Sequence, residues 1–339
     1  MRDRPDLVDD IIVATVRASY TIALDGLTFL PIGNDSATWV FRARAANGVD
    51  YFLKLRKGSA NPASFHVPRY LHNHGVTCVI AALPTVTGGL WVKVDEFTLA
   101  LYPFIDGATG TDTGMTEHHW VAYGATLRRI HDITSPPEIT RNMRHEAFIP
   151  DPGGVIRRLD AQIADNEFAE PWERELAAFW RDRRAEIVSL IDRAEFLGQR
   201  LRTSNPPLVL CHADIHTSNI LIDTADQLWI VDWDETVLAP KECDLMFIAG
   251  GIGGNIVGPR EQAWAFTGYG PTCVDPLALA YYRHVRAVED IGSSAERVFL
   301  MPERGEETRS AAVREVMSYF RPGQIVELAG EADRGLAQG

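Results

Sequence analysis

Three oxygen-bearing side chains stand at telling spacing in this sequence. Asp214 and Asn219 are five positions apart in CHADIHTSNILI, and Asp232 lies eighteen beyond Asp214, in IVDWDE. Each cluster follows a short apolar run of strand character, so each is expected at a loop tip above a small sheet. At such a site one carboxylate can accept the proton of an attacking hydroxyl. An amide oxygen and a second carboxylate can hold Mg2+ against phosphates, which is the division of labour in phosphoryl transfer. Mg2+ takes hard oxygen ligands of this kind. Two other readings use the same residues. Asp and Asn are common in turns, where they cap and tolerate left-handed backbone. H-x-D-x-H (His212, Asp214, His216) offers three ligands to a hydrolytic metal, but zinc needs further His or carboxylate ligands to complete its shell. The spacing to Asp232 favours phosphoryl transfer.

The elements that must position these residues can be read from periodicity. Residues 7–18 have helical spacing at Leu7, Ile11, Thr15 and Ala18. TFLPI, ATWVFRARA and DYFLKLR read as strands, the last two joined by a hairpin at Asn47-Gly48. SFHVPRYLHNHGV reads as a helix whose continuity Pro68 puts in question. GLWVKV and FTLALYPF form a further strand pair turning at Asp95-Glu96. Beyond Pro103 the pattern is mostly helical, over 116–131, 155–166 and 171–200. Short strands return at PLVLCH, NILID and QLWIVDW, and helices resume through 320. Asp275-Pro276 reads as an N-cap and first-turn proline. GEADRGLAQG reads as a frayed tail. The fold class expected is α+β.

Composition narrows the partners. The chain has 339 residues and a formal net charge of −13. That disfavours a nucleic-acid partner, which needs clustered Lys and Arg. It suits solubility or a cationic small molecule. No apolar run approaches the roughly 20 residues of a membrane helix, and the charged start does not resemble a signal peptide, so a cytoplasmic protein is expected. The four cysteines (Cys78, Cys211, Cys243, Cys273) are scattered and read as reduced, packed thiols.

HADIHTSN followed by IVDWDE resembles the H-x-D-x-x-x-x-N and D-x-D motifs of the aminoglycoside phosphotransferase family. The longer string CHADIHTSNILI…WIVDWDETVLAPKECDLMFIAGG, with YYRHVRAVEDI, looks most like that family's spectinomycin branch. The resemblance implies a bilobed protein-kinase-like fold. A small antiparallel-sheet, nucleotide-binding lobe over 1–103 and a hinge near 100–106 would precede a mostly helical catalytic and acceptor-binding lobe over 104–339. It implies ATP and Mg2+ as cofactors, Asp214 as general base, His212 as support for the catalytic loop, and Asn219 and Asp232 as metal ligands. Asp234 would be an outer or second-metal contributor, and His216 has no firm role. A small-molecule metabolic kinase and a nucleotide-binding pseudokinase are the alternatives within this fold.

Three further parts must hold the nucleotide. PIGNDSATWVF resembles the family's phosphate loop, with Gly33 allowing close backbone approach and Ser36 able to donate; it also reads as an ordinary hairpin turn. Lys54, one of only four lysines, sits in an apolar strand where burial is costly without a charge partner. It matches the family's phosphate-binding lysine. The glutamate that usually orients such a lysine is missing: residues 58–74 contain no acid, so either another acid pairs with Lys54, or Asp232 and the nucleotide do so alone. His66 is a candidate to fill part of that space. The backbone from Ala100 to Tyr102 is expected to meet the adenine edge. A hydroxyl acceptor that is cationic would want carboxylates. Glu235, Glu289 and Asp290, with Tyr281 on a nearby helix face, are the candidates, and Trp264, Tyr269 and Tyr282 could stack on a sugar ring. Asp244 reads as a structural acid.

Overall fold

The computed structural model describes residues 4–33, 37–134, 136–141, 143–150, 152–252, 255–301 and 305–336. The chain forms two compact units, the first from Met1–Arg144 with His212–Val237, the second from His145–Cys211 with Leu238–Gly339. Together the elements are α+β, as the sequence implied.

The first unit is built on helix α1 (Asp9–Tyr20) and strands β1 (Leu24–Leu30), β2 (Thr38–Ala45), β3 (Asp50–Lys57), β4 (Val92–Val94) and β5 (Phe97–Pro103), with α2 (Ala63–Asn73) between β3 and β4. The strands make one antiparallel sheet in the order β1-β2-β3-β5-β4. Asn47-Gly48 does turn the chain: Gly48 has φ 85° and its N–H reaches the Ala45 carbonyl at 2.8 Å. The turn at Asp95 is also seen, with φ 50°.

Alternation assigns the two faces. Phe41, Ala43, Leu53, Leu55, Leu99 and Leu101 point to one side and bury against Ile12 and Val16 of α1. Full burial of each leucine is worth about 1.5–3 kcal/mol. The opposite face carries Ala100 and Tyr102, which pack with Phe65 of α2, Ala82, Leu90 and Trp91. Lys54 lies on this second face, opposite Ala100 in the ladder and out of step with Leu53 and Leu55. Pro68 does not break α2. The helix runs on to Asn73 because Phe65, Val67, Pro68 and Leu71 are all buried.

A second, three-stranded sheet of this unit joins β6 (Gly107–Thr109), Ile220–Asp223 and Leu228–Ile230. Gly107 is required there, since a Cβ would stand 2.2 Å from the Ile222 carbonyl oxygen. Helices α3 (Gly110–Thr113) and α4 (Glu117–Asp132) follow β6. Thr116 and His119 form a capping box at the start of α4.

The second unit is helical. Pro276–Phe299 runs through its middle and packs on Pro152–Asp165, Pro171–Ser204, Glu306–Tyr319 and Ile325–Leu336. Asp275 caps Pro276–Phe299 by accepting from the Leu277 N–H at 2.8 Å. The expected frayed tail is corrected. Ile325, Val326, Leu328 and Ala329 are buried, the helix continues to Leu336, and Asp333 pairs with Arg193 at 2.9 Å. Among the described residues no helix is long and apolar enough to cross a membrane.

Candidate active site

The loop from His212 to Asn219 is held by its own polar groups. His212 is fully buried. Its Nδ1 accepts the Asp214 N–H at 3.3 Å, which puts the ring proton on Nε2, and Nε2 donates to the Val231 carbonyl at 2.9 Å. One ring therefore ties the backbone at Asp214 to the backbone beside Asp232. Trp233 packs on the same imidazole, ring centroids 4.6 Å apart. Tyr123 of α4 donates to the Ile215 carbonyl at 2.7 Å and pins the loop from below. Ala213 and Asp232 both lie in the left-handed region, φ 69° and 62°. For non-glycine residues that costs about 1–3 kcal/mol each, a strain that persists only where the surroundings over-determine it.

Asn219 closes the loop. Its Nδ2 donates to the Asp214 carbonyl at 2.7 Å and to Asp214 Oδ2 at 3.1 Å. With the amide nitrogen committed to Asp214, the amide oxygen is the atom turned toward any cation. The Val231 N–H donates to the Asn219 carbonyl at 3.1 Å, which brings Asn219 beside the chain entering Asp232. His216 caps the 3-10 turn Thr217–Asn219 through Nδ1, and its Nε2 lies 3.5 Å from Asp214 Oδ2. The Asn219 amide oxygen and the Asp232 carboxylate are hard-oxygen donors of the kind that fits Mg2+.

Lys54 answers the question left by the acid-free helix. Its Nζ lies 3.1 Å from Asp232 Oδ1 and 2.8 Å from Asp234 Oδ2. Burial acts to lower its pKa, but the carboxylates of Asp232 and Asp234 outweigh it and hold the ammonium above its ordinary value. Arg56 Nη1 also reaches Asp234 Oδ2, at 3.4 Å. His66 takes no part: it is exposed and packs edge-on against Trp91 at 5.6 Å. Tyr102 rests near the same charges, and burial pushes its phenol well above the ordinary value.

The hinge backbone differs in detail from the sequence expectation. Gly58 N–H pairs with the Glu96 carbonyl, so the even-numbered residues of β3 and β5 are the hydrogen-bonded pairs, and Ala100 and Tyr102 turn their backbone groups toward β3. Leu101 faces the other edge, where its carbonyl accepts from the Leu83 N–H at 2.7 Å. Gly33 is exposed with φ 87°, a conformation suited to glycine. Ser36 lies outside the described residues.

Of the acceptor candidates, Glu235 belongs to the first unit, is exposed, and stands 3.5 Å from Arg144. Tyr281, Glu289 and Asp290 belong to the second unit. Tyr281 is only 1% exposed and its hydroxyl reaches Glu146 Oε1 at 3.5 Å, while Tyr282 donates to Glu146 Oε2 at 3.3 Å. Burial, then the nearby Glu146 and Glu289 carboxylates, raise the Tyr281 phenol well above its usual value. Asp290 pairs with Arg286 at 3.1 Å. Asp244 is fully buried in the second unit. Sequence reasoning missed Glu146, a lone loop acid with no motif around it, and Tyr123, whose hydroxyl looks like any other in a helix pattern. Trp233 could have been found, since an aromatic between two acids is uncommon on a solvated loop.

This is the fold and loop chemistry of a kinase-like phosphotransferase, and residues 26–282 match the phosphotransferase enzyme family, so the chain belongs to it. In structure it is similar to spectinomycin phosphotransferase, APH(9)-Ia, solved with ADP and spectinomycin: TM-score 0.87 and 29% identity over 97% of this chain and 100% of that one. The AMP-bound complex of the same enzyme gives TM-score 0.82 and 30% identity over 95% and 98%. In sequence, Protein StrN of Streptomyces griseus is 24% identical over 232 residues, 65% of this chain and 68% of that protein.

Proposed function

We propose that the chain transfers the γ-phosphoryl group of ATP to a hydroxyl of a cationic aminocyclitol or aminoglycoside, spectinomycin foremost. The observation that carries the reading is the hydrogen-bonded path from Asp214 through Asn219 to the chain at Val231, and from Asp232 on to Lys54. The similarity to an enzyme solved with ADP and spectinomycin supports the acceptor class.

Asp214 accepts the proton of the acceptor hydroxyl. Donation from Asn219 to Oδ2 fixes the carboxylate's orientation before the acceptor arrives. Asn219 and Asp232 would hold Mg2+, which when bound would neutralise charge on the transferred group. Lys54 contacts the α and β phosphates, with the backbone at Gly33 approaching them and the hinge near 100–106 taking the adenine. Residues 1–103 thus act as the nucleotide lobe and 104–339 as the catalytic and acceptor lobe. Glu235 of the first unit, and Glu289 and Asp290 of the second, are each carboxylates suited to a cationic acceptor. Tyr281, being buried, packs and does not meet the acceptor directly. Dependence on ATP fits a cytoplasmic site of action.

The test is turnover by the purified chain with ATP, Mg2+ and a panel of hydroxyl compounds that includes spectinomycin and small metabolites, read by product mass. Phosphorylated spectinomycin is expected. Transfer only to another metabolite would remove the acceptor and keep the chemistry. Nucleotide binding without any turnover would leave a non-catalytic nucleotide-binding protein.

A further inference from the structure

We infer that Asp234 is the positioning residue that seats Lys54, in place of an acid from α2, and that it is not a ligand of the metal. The inference rests on Lys54 being the nucleotide-binding lysine of the proposed function. The helix after β3 has no acidic residue, and none occurs over 58–74. Asp234 Oδ2 makes the shorter of the two contacts to Lys54 Nζ, 2.8 Å against 3.1 Å for Asp232 Oδ1. Lys54 and Arg56 are two apart on one strand, so both side chains leave the same face, and both meet that one oxygen of Asp234. A divalent cation arriving there would face two positive charges at close range, an arrangement Coulomb repulsion opposes. Asp232 is different. Its side chain is 51% exposed against 33% for Asp234, and it follows the segment bonded to Asn219, the other oxygen donor.

The two carboxylates therefore divide the work. Asp232, the more exposed of the two, would hold the metal when one is bound. Asp234 stays on Lys54 and keeps the ammonium extended from β3 toward the phosphates. An acid two positions after Asp232 thereby does what an acid on α2 would do, and α2 is left to pack.

The experiment measures ADP affinity with and without Mg2+ for the wild-type chain, Lys54→Met, Asp234→Asn and the double variant. Metal-free ADP binding by Asp234→Asn is expected to weaken about tenfold. The double variant should bind no more weakly than Lys54→Met alone, because the second substitution acts through the first. In turnover, the KM for ATP should rise more than kcat falls, and Asp234→Glu should recover part of the loss. Effects that multiply in the double variant would overturn the inference. So would a loss confined to the Mg2+ dependence, with metal-free affinity intact. If Asp234→Asn does not fold, Asp234→Ser enters the same cycle with the same two outcomes. Absence of ADP binding by the wild-type chain would instead overturn the nucleotide reading itself, and this inference with it.

Discussion

Asn219 Nδ2 donates to both the carbonyl and the carboxylate of Asp214, at 2.7 and 3.1 Å. A carboxylate held by its own neighbour five residues on is oriented without help from substrate. In the proposed reaction the phosphoryl transfer depends on the Asp214 carboxylate, whereas nucleotide binding does not. Asp214→Ala is expected to lower kcat by about 10²–10⁴, with ADP affinity changed by less than about twofold. Steady-state kinetics beside ADP titration checks it, and surviving turnover would remove Asp214 as the base.

His212 is a structural crosslink as much as a loop residue. His212→Ala opens a buried cavity under Trp233 and leaves the Val231 carbonyl without its imidazole donor. The loss is expected to be about 2–4 kcal/mol of stability. Urea unfolding measures it. A midpoint equal to wild type would mean that water replaces the ring.

Gly107 sets the approach of β6 to Ile220–Asp223, the strand that begins just after Asn219. Gly107→Ala puts a Cβ into the Ile222 carbonyl. Destabilisation of about 1–3 kcal/mol is expected, with a fall in kcat as the loop end shifts. Thermal unfolding and turnover of one preparation test both parts.

Lys54 gives a pH prediction. Its folded pKa lies above the unfolded value, so its contribution is fully present below about 10.4 and is lost only as pH rises toward the higher folded value. The stability difference between wild type and Lys54→Met should be flat from about pH 6 to 9. A slope in that window, read by urea unfolding, would mean the ammonium titrates early.

His284 gives the opposite sign. It is buried in the second unit, where burial depresses its pKa despite acceptance of its Nδ1–H by the Ala280 carbonyl and the nearby Asp333. The unfolded chain binds a proton there that the folded chain refuses. Stability should fall as pH drops below about 6.5 and level off under the folded value. His284→Gln should flatten that part of the profile.

The positions of Asp214, Asn219 and Asp232 were legible because a short loop fixes their spacing, and local chain geometry then keeps them together. Lys54 was legible as a buried-strand lysine and Asp232 as one partner open to it, but its second partner was not. Asp234 is 180 positions away, and only the tertiary fold brings the two within 2.8 Å. Strand parity was legible in the apolar alternation of Phe41, Leu53 and Leu99. The edge that Ala100 and Tyr102 present was not, since hydrogen-bond direction depends on register with β3. The terminal helix was misread because Gly330 and the polar residues around it look like a tail, while its apolar stripe at Ile325, Val326, Leu328 and Ala329 only makes sense against a neighbour.

The first unit is discontinuous in the chain, with 212–237 returning to residues that ended at 144. A ribosome must therefore release 67 intervening residues, 145–211, before this unit can finish. Until then the nascent protein carries Lys54 with neither Asp232 nor Asp234 to meet it, and β6 without its partner strand. Termination anywhere from residue 54 to residue 231 yields a product that has the lysine and lacks both of its counter-charges, and such fragments are natural clients for chaperones and proteases.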